Sequence, residues 1–525
     1  MTTYILYTTL AAAAVYAVFK FIYEMHMLQL NSYRNERYLR WLGINYGSAD
    51  RGLEVIFLVI GLVLTFLLPA AGLVLLTVTF LFLSYRFYNK KHKKPPVFTD
   101  RAKRVLGVSL LLFFLLLGLY IFKTELDNTA FITAAVAAVL SVLSPVLLLL
   151  ANTLLRPYEK YNHNWYINDA KRMLAAAPNL TVVGITGSYG KTSVKHFLET
   201  VLSQKYNVLM TPGSYNTPMG VVRTVREQLK PFHEIFIAEM GAKQPGDIKE
   251  ICDIAHPQIG ILTAVGTAHL ETFKTADNIR KTKFELIDAL PADGFAVLNA
   301  DYEVIENQSV SQPKTYYGVQ HPRADYSVED VTVTARGSSF TVRKNGKVFG
   351  SFDTKLLGAH NLSNLAAAVA AADYLGLNEK QISTGIKKIQ PVQHRLSVRR
   401  IGSDITILDD AFNSNIVGAT NAVLVLGQME GKRKIIVTPG MVELGEKTFE
   451  LNREFAERIA ENADIAILVG KTNEAALSSG LAAGNFPEEQ IYRAADFKDA
   501  TTWLGKRMQT GDVILYENDL PDSYK

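Results

Sequence analysis

The sequence predicts an N-terminal α-helical transmembrane region followed by α/β architecture divided into two domains. Three observations predict it. The apolar excess sits in the first 155 residues. From Val182 onward, short apolar strands alternate with helical stretches, the pattern of a mostly parallel, doubly wound sheet. At the start of that alternation lies Gly184-Ile185-Thr186-Gly187-Ser188-Tyr189-Gly190-Lys191-Thr192, a glycine-rich turn between a strand-like and a helix-like run.

Composition narrows the field. The chain has 525 residues, too many for one domain. Its hydrophobic fraction is 48% and its mean hydropathy +0.10, high for a soluble protein. A net charge of +5 carries no general signal for nucleic-acid binding. The single cysteine, Cys252, excludes an internal disulfide and a Cys-rich zinc ribbon, and reads as a small core residue. There is no internal repeat or low-complexity tract.

Five apolar segments approach the length that spans a bilayer: residues 4–23, 52–68, 71–85, 105–122 and 129–150. The second and third are short, separated by Pro69-Ala70, and could form a re-entrant hairpin instead. Orientation follows from charge. Eight Lys and Arg residues lie between positions 86 and 104, and the 24–51 loop carries Arg34, Arg37, Arg40 and Arg51. Both loops are expected on the cytoplasmic side. The N-terminus then lies outside, and everything after Ala151 is cytoplasmic, as ATP use requires. A cleaved signal peptide is disfavoured, because no positive charge precedes the first apolar run. The basic 86–104 loop reads as a topology determinant near anionic membrane lipids or as a site for an anionic lipid-linked substrate. Residues 25–41 read as an interfacial helix. No acidic or histidine residue is expected deep within a span, which argues against a proton-coupled transporter.

The cytoplasmic part begins with a phosphate-loop (P-loop) central domain. Its expected strands include residues 235–238, 259–263 and 295–298. Residues 326–357 differ, being rich in Val, Thr and Phe, with Asn345-Gly346 as a hairpin turn. After Gln390-Pro391 a second alternating unit follows, a Rossmann-like C-terminal α/β domain with strands near 405–408, 434–437, 465–469 and 513–516. The expected domains are therefore 1–155, 156–392 and 393–525.

The glycine turn carries the first chemistry. Gly187, Ser188 and Gly190 let backbone N–H groups converge on phosphate oxygens, and the helix N-terminus adds partial positive charge. Lys191 is placed to reach the terminal phosphates, and Thr192 to hold Mg²⁺. The strict spacing would put a glycine at Ile185, so this loop is a variant. Glu239 ends a strand, where a carboxylate can share the hard Mg²⁺ ion with Thr192. Taken singly, other polar residues have plain structural readings: His269 as a capping histidine, Lys283 as a solvated helix lysine, Asp409 as a turn residue. Their order along the chain says more.

Glu239-Met240-Gly241-Ala242, Ala268-His269-Leu270-Glu271, Gly358-Ala359-His360-Asn361 and Gly440-Met441-Val442-Glu443-Leu444-Gly445 occur in sequence, with Lys283, Asn364, Arg395 and Asp409-Asp410 among them. In this the chain resembles the Mur ligase superfamily, which joins amino acids to cell-wall precursors, over residues 178–525. Within it the motifs are similar to the UDP-N-acetylmuramoyl-tripeptide–D-alanyl-D-alanine ligase branch. The resemblance implies an ATP-dependent acid–amino-acid ligase of peptidoglycan synthesis. Lys191 and the loop would hold the β- and γ-phosphates. Thr192 and Glu239 would bind one Mg²⁺; His269 and Lys283, as its N-carbamate, would bind a second. His360, Asn361 and Asn364 would lie near the adenine, Arg395 would reach over the phosphates, and Asp410 would contact the ribose. A substrate carboxylate would attack the γ-phosphorus, releasing ADP, and an amine would then displace phosphate from the acyl phosphate.

The chain also departs from that pattern. The resemblance implies a separate N-terminal domain gripping the UDP part of the substrate, and only about 25 residues separate Pro157 from the loop strand. Membrane spans stand in its place. The acceptor, UDP-linked or lipid-linked, is therefore open. The Lys-Gly-Ser-Arg-type ending of the adding branch is replaced by Glu517-Asn518-Asp519, which favours an amine-bearing partner and leaves the amino acid or dipeptide open. Competing readings are a poly-γ-glutamate-type or other lipid-linked envelope polymer ligase and, from another class, an ATP-driven transporter or membrane scaffold.

Overall fold

The computed structural model of the chain describes residues 2–45, 49–90, 95–123, 130–266, 273–334, 337–391, 396–401, 404–411, 416–442 and 444–519. Two compact units emerge, Met1–Trp165 and Tyr166–Lys525. The boundary lies within the helix Ser144–Ala175, downstream of position 155. Hydropathy falls along that helix while its backbone continues, so composition and chain geometry mark different points.

The first unit is helical. Its longest member within the unit, Thr2–Leu30, packs Tyr16 against Phe80 and Phe87 at ring separations of 5.6 and 6.0 Å, and Phe21 against Phe113. Ile56, Val63, Phe66, Leu111, Leu115 and Leu119 face outward on neighbouring helices. Contiguous outward apolar surface of this kind suits lipid rather than water. Among the described residues, three helices are long and apolar enough to cross a membrane: Thr2–Leu30, Pro69–Tyr88 and Asp100–Lys123. The expected single span at 129–150 is instead a pair of helices, Phe131–Val142 and Ser144–Ala175, bent by 62°, the form of a broken span or a re-entrant loop. The apolar helix Gly52–Leu67 is shorter than a full span. It folds back on Pro69–Tyr88, where Gly72 lies against the backbone of Thr65 with no room for a Cβ.

No acidic or histidine residue was expected deep within a span, but the first span continues past its expected end at Tyr23. The first helix runs on to Leu30 and buries Lys20, Glu24 and His26. Lys20 forms a buried ion pair with Glu54. Tyr38 donates its hydroxyl to Glu24 at 2.6 Å. Neither pairing is visible from span hydropathy, because each joins segments distant in sequence.

In the second unit, β1 (Thr181–Thr186), β2 (Val208–Met210), β3 (Ile235–Glu239), β4 (Ile259–Leu262), β5 (Phe295–Asn299), β6 (Lys314–Val319), β7 (Tyr326–Thr334), β8 (Gly337–Lys344) and β9 (Lys347–Thr354) form one sheet. Its order is β2-β3-β1-β4-β5-β6-β7-β8-β9. The first seven are mutually parallel; β8 and β9 add an antiparallel meander. The predicted Asn345-Gly346 turn closes β8 onto β9, both residues having positive φ. Every residue of β3 and β4 is buried, as a sheet covered on both faces requires. Helices Lys191–Leu202, Ala359–Tyr374 and Glu379–Lys388 cover one face. Pro218–Gln228, Asp247–Ala255 and Ala276–Asp288 cover the other.

A second sheet holds β10 (Ser397–Ile401), β11 (Ile405–Asp410), β12 (Arg433–Thr438), β13 (Ile465–Val469), β14 (Ile491–Ala494) and β15 (Asp512–Glu517), in the order β10-β11-β15-β12-β13-β14. Only β10 is antiparallel. The last strand enters between β11 and β12, unlike the 3-2-1-4-5-6 order of the dinucleotide-binding sheet. Strands β2, β6, β10 and β14 escaped the sequence reading. They are short or polar, and their pairing partners define them.

The buried pair yields a prediction. Lys20→Met leaves Glu54 buried without its counter-charge and should destabilise the chain by about 3–5 kcal/mol, whereas adding Glu54→Met recovers most of the loss. Denaturant titration of the detergent-solubilised variants checks this.

Candidate nucleotide and metal site

The order β3-β1-β4 reverses direction at β1, creating a crevice at the carboxyl ends of these strands. The loop that follows β1 opens there. Gly187 has φ +153° and Gly190 φ +80°. A Cβ at Gly187 would collide with Thr263 Oγ1, and one at Gly190 would lie 2.5 Å from Asn364 Oδ1. Any side chain at either position would therefore displace the neighbours that shape the loop. Ile185, which stands where a strict loop has glycine, is wholly buried within β1. Gly190 is the N-cap of helix Lys191–Leu202, so the leading N–H groups of that helix face the loop. Lys191 Nζ donates to the Gly187 carbonyl at 2.7 Å. Ser188 braces the loop: its N–H donates to Ala264 O at 2.8 Å, and its hydroxyl accepts from Gly266 N at 3.0 Å.

Register brings the acid. Ile185 pairs with Glu239, so the carboxylate leaves β3 beside the strand that feeds the loop. Thr192 Oγ1 donates to Glu239 Oε1 at 3.1 Å, and Asn216 Nδ2 to the same oxygen at 3.2 Å. Lys195 Nζ lies 3.0 Å from Oε2. Burial pushes the Glu239 carboxyl up, but Lys195, Lys191 and the Asn216 hydrogen bond outweigh it and hold the group below the usual carboxylate range. Lys283, on helix Ala276–Asp288, is 3% exposed. Burial first, then the like charge of Lys191, lowers its amine from 10.5 to about 7.

This donor set fits Mg²⁺. A hydroxyl and a carboxylate oxygen stand together, both hard oxygen ligands. Glu239 Oε2 lies against Lys195, and Oε1 stands beside the Thr192 hydroxyl. The loop likewise fits phosphate: its positive-φ glycines and the helix N-terminus at Gly190 are the features of a phosphate cradle.

The other predicted residues fall as follows. His360, Asn361 and Asn364 lie on the first turns of helix Ala359–Tyr374. An alanine-rich stretch, 366–372, buries that helix beside Lys191–Leu202 and brings Asn364 against Gly190. Asn361 Nδ2 donates to Leu357 O at 2.8 Å. Burial lowers the His360 imidazole to about 4, so it is neutral at pH 7. Asp410 ends β11 on the second sheet, its Oδ1 accepting the Leu396 N–H at 2.9 Å. His269 and Arg395 lie outside the described residues. Cys252 is buried, its thiol pushed up to about 12 by burial, in keeping with a core residue.

Sequence reasoning missed Lys195, Asn216 and Thr211, whose hydroxyl accepts the Glu239 N–H at 3.1 Å. Lys195 lies four residues after Lys191, one helical turn on, and that spacing was the available signal. Asn216 comes from a loop, with no periodicity to expose it.

A phosphate loop beside a strand-end carboxylate at a sheet switch point is the architecture of a nucleotide-dependent phosphoryl-transfer enzyme. The Mur ligase middle domain model matches residues 185–372, and the model described as Mur ligase, glutamate ligase domain, matches residues 394–516. The chain belongs to the Mur ligase family, whose members are ATP-dependent acid–amino-acid ligases. It is 28% identical over 338 residues to UDP-N-acetylmuramoyl-tripeptide–D-alanyl-D-alanine ligase of Bacillus subtilis, covering 64% of this chain and 72% of that one. To the Escherichia coli enzyme of the same name it is 33% identical over 300 residues, covering 56% and 65%. The Synechocystis enzyme shares 31% over 343 residues, covering 64% and 71%. Among solved structures, the MurF ligase of Thermotoga maritima in complex with ADP matches with TM-score 0.60 and 27% identity, covering 68% of this chain and 80% of that one. MurF of Acinetobacter baumannii shares the fold at the same TM-score, with 22% identity over 68% and 77% of the two chains.

The lowered Lys283 amine predicts a pH dependence. Between about 7 and 10.5 the unfolded chain binds a proton that the folded chain does not, so this group makes stability rise with pH across that window. Below about 7 the folded chain carries the buried charge and its full cost. In CO₂-free buffer, Lys283→Met should flatten this slope and raise the melting temperature most near pH 6, read by thermal denaturation across pH 6–10.

Proposed function

We propose that the chain is a membrane-anchored, ATP-dependent ligase that adds D-Ala-D-Ala to a carboxylate of a peptidoglycan-precursor peptide. The observation that carries the reading is the match across both sheets to relatives that bear one name, UDP-N-acetylmuramoyl-tripeptide–D-alanyl-D-alanine ligase. The site supports it. In this reading Lys191 and the loop amides hold the β- and γ-phosphates, Thr192 and Glu239 supply oxygen ligands, and Arg395 closes over the nucleotide from the C-terminal domain (393–525). His360, Asn361 and Asn364 flank the adenine, and Asp410 the ribose. Mg²⁺, when bound, neutralises charge on the transferring phosphoryl group. His269 and Lys283 complete a second ion site. A carbamate on Lys283 requires a neutral amine, and a value near 7 leaves one available at physiological pH. Loss of that carboxylate ligand should cost about 10²-fold or more in turnover.

The helices of the first unit are read as the anchor. If Gly52–Leu67 and Pro69–Tyr88 cross as a pair or re-enter together, the parity of crossings is unchanged. Either way the N-terminus lies outside and the basic 86–104 loop inside. An acceptor delivered at the membrane, lipid-linked rather than UDP-linked, is the finer form of the proposal, because 1–184 lies outside both family matches.

Full-length protein in detergent should turn ATP over to ADP catalytically, beyond one equivalent per enzyme, only when tripeptide acceptor and D-Ala-D-Ala are both supplied. ATP turnover that ignores both and survives Lys283→Ala would sink the ligase reading. Preference for UDP-linked over lipid-linked tripeptide would sink only the membrane-acceptor form. With ¹³C-bicarbonate, a carbamate carbon signal is expected at pH 8, weaker at pH 6 and missing in Lys283→Arg.

A further inference from the structure

Lys195 has no part in the reading so far. It sits on helix Lys191–Leu202, its side chain wholly enclosed. Lysine is almost never buried without a partner. Here the ammonium donates to the Gly213 carbonyl and lies 3.0 Å from Glu239 Oε2. The opposite oxygen, Oε1, takes Thr192 at 3.1 Å and Asn216 at 3.2 Å. Glu239 is thus gripped from both sides: by a cation behind it and by the metal-facing hydroxyl in front.

We propose that Lys195 is a positioning residue that locks the Glu239 carboxylate so that Oε1 faces Thr192 and the Mg²⁺ ion they share. The inference rests on reading Thr192 and Glu239 as Mg²⁺ ligands. Its physical basis is geometric. A carboxylate on a two-bond stem rotates freely unless both oxygens are held. Lys195 holds the rear oxygen and ties the end of β3, through Gly213, to the 211–217 loop that supplies Thr211 and Asn216. Partners that orient a metal ligand typically contribute 10–100-fold to metal affinity, so a loss of about that size is expected here.

The test measures ADP binding by calorimetry, with Mg²⁺ and with EDTA, on the full-length chain. Wild type should bind ADP more tightly with Mg²⁺. In Lys195→Met the apparent Mg²⁺ affinity at saturating ADP should fall about 10–100-fold, while Mg²⁺-free ADP binding, which the loop provides, stays within about twofold. If the variant keeps the wild-type Mg²⁺ dependence and only melts earlier, Lys195 is a packing residue and the proposal is overturned. Should Lys195→Met not fold, Lys195→Gln, which retains a donor for the Gly213 carbonyl, is read by the same criterion. If wild type itself shows no Mg²⁺ dependence, the parent reading of Thr192 and Glu239 fails, and the Lys195 proposal with it.

Discussion

The pairing of β1 with β3 is the constraint on which the site depends. It sets Ile185 opposite Glu239, so one carboxylate emerges beside the strand that turns into the phosphate loop. A slip of one residue would turn Glu239 toward the other face of the sheet. The strands are buried on both faces, so the register is held by packing over their whole length. Function at this site is thus a by-product of how a hydrophobic sheet aligns.

Among the described residues three lysines are buried, each by a different physical solution. Lys20 is neutralised by Glu54 within the helical unit. Lys195 is neutralised by Glu239 and stays a cation. For Lys283, burial and the like charge of Lys191 outweigh the pull of Glu285 and Asp247 and drive its amine toward neutrality. The first two stabilise geometry at the expense of desolvation. The third becomes a nucleophilic amine, the form that carbamate chemistry needs. The same residue type is held as a cation in two places and driven toward neutrality in a third because its surroundings differ.

The helix Ala359–Tyr374 shows how packing brings side chains to the phosphate loop. Its run of alanines permits close approach to Lys191–Leu202, and that approach brings Asn364 against Gly190. A bulkier stretch would hold the two helices apart and widen the cradle. Small side chains far from the chemistry thereby decide the dimensions of the site.

Local sequence by itself determined the elements with strong local signals. These were the glycine loop, the apolar runs that became β1, β3, β4 and β5, the Asn345-Gly346 hairpin, and the apolar helices of the first unit. Such features are written in neighbouring residues, through backbone freedom at glycine and through periodicity. Motif order pointed to Lys191, Thr192, Glu239 and Lys283. Tertiary structure alone decided what those residues meet. The ion pairs of Lys20 and Lys195, the hold of Asn216 and Thr211 on Glu239 and the insertion of β15 between β11 and β12 all join segments far apart in the chain. No local pattern encodes them, because long-range pairing is set by the global burial of apolar surface and by the need to satisfy every charge that burial traps.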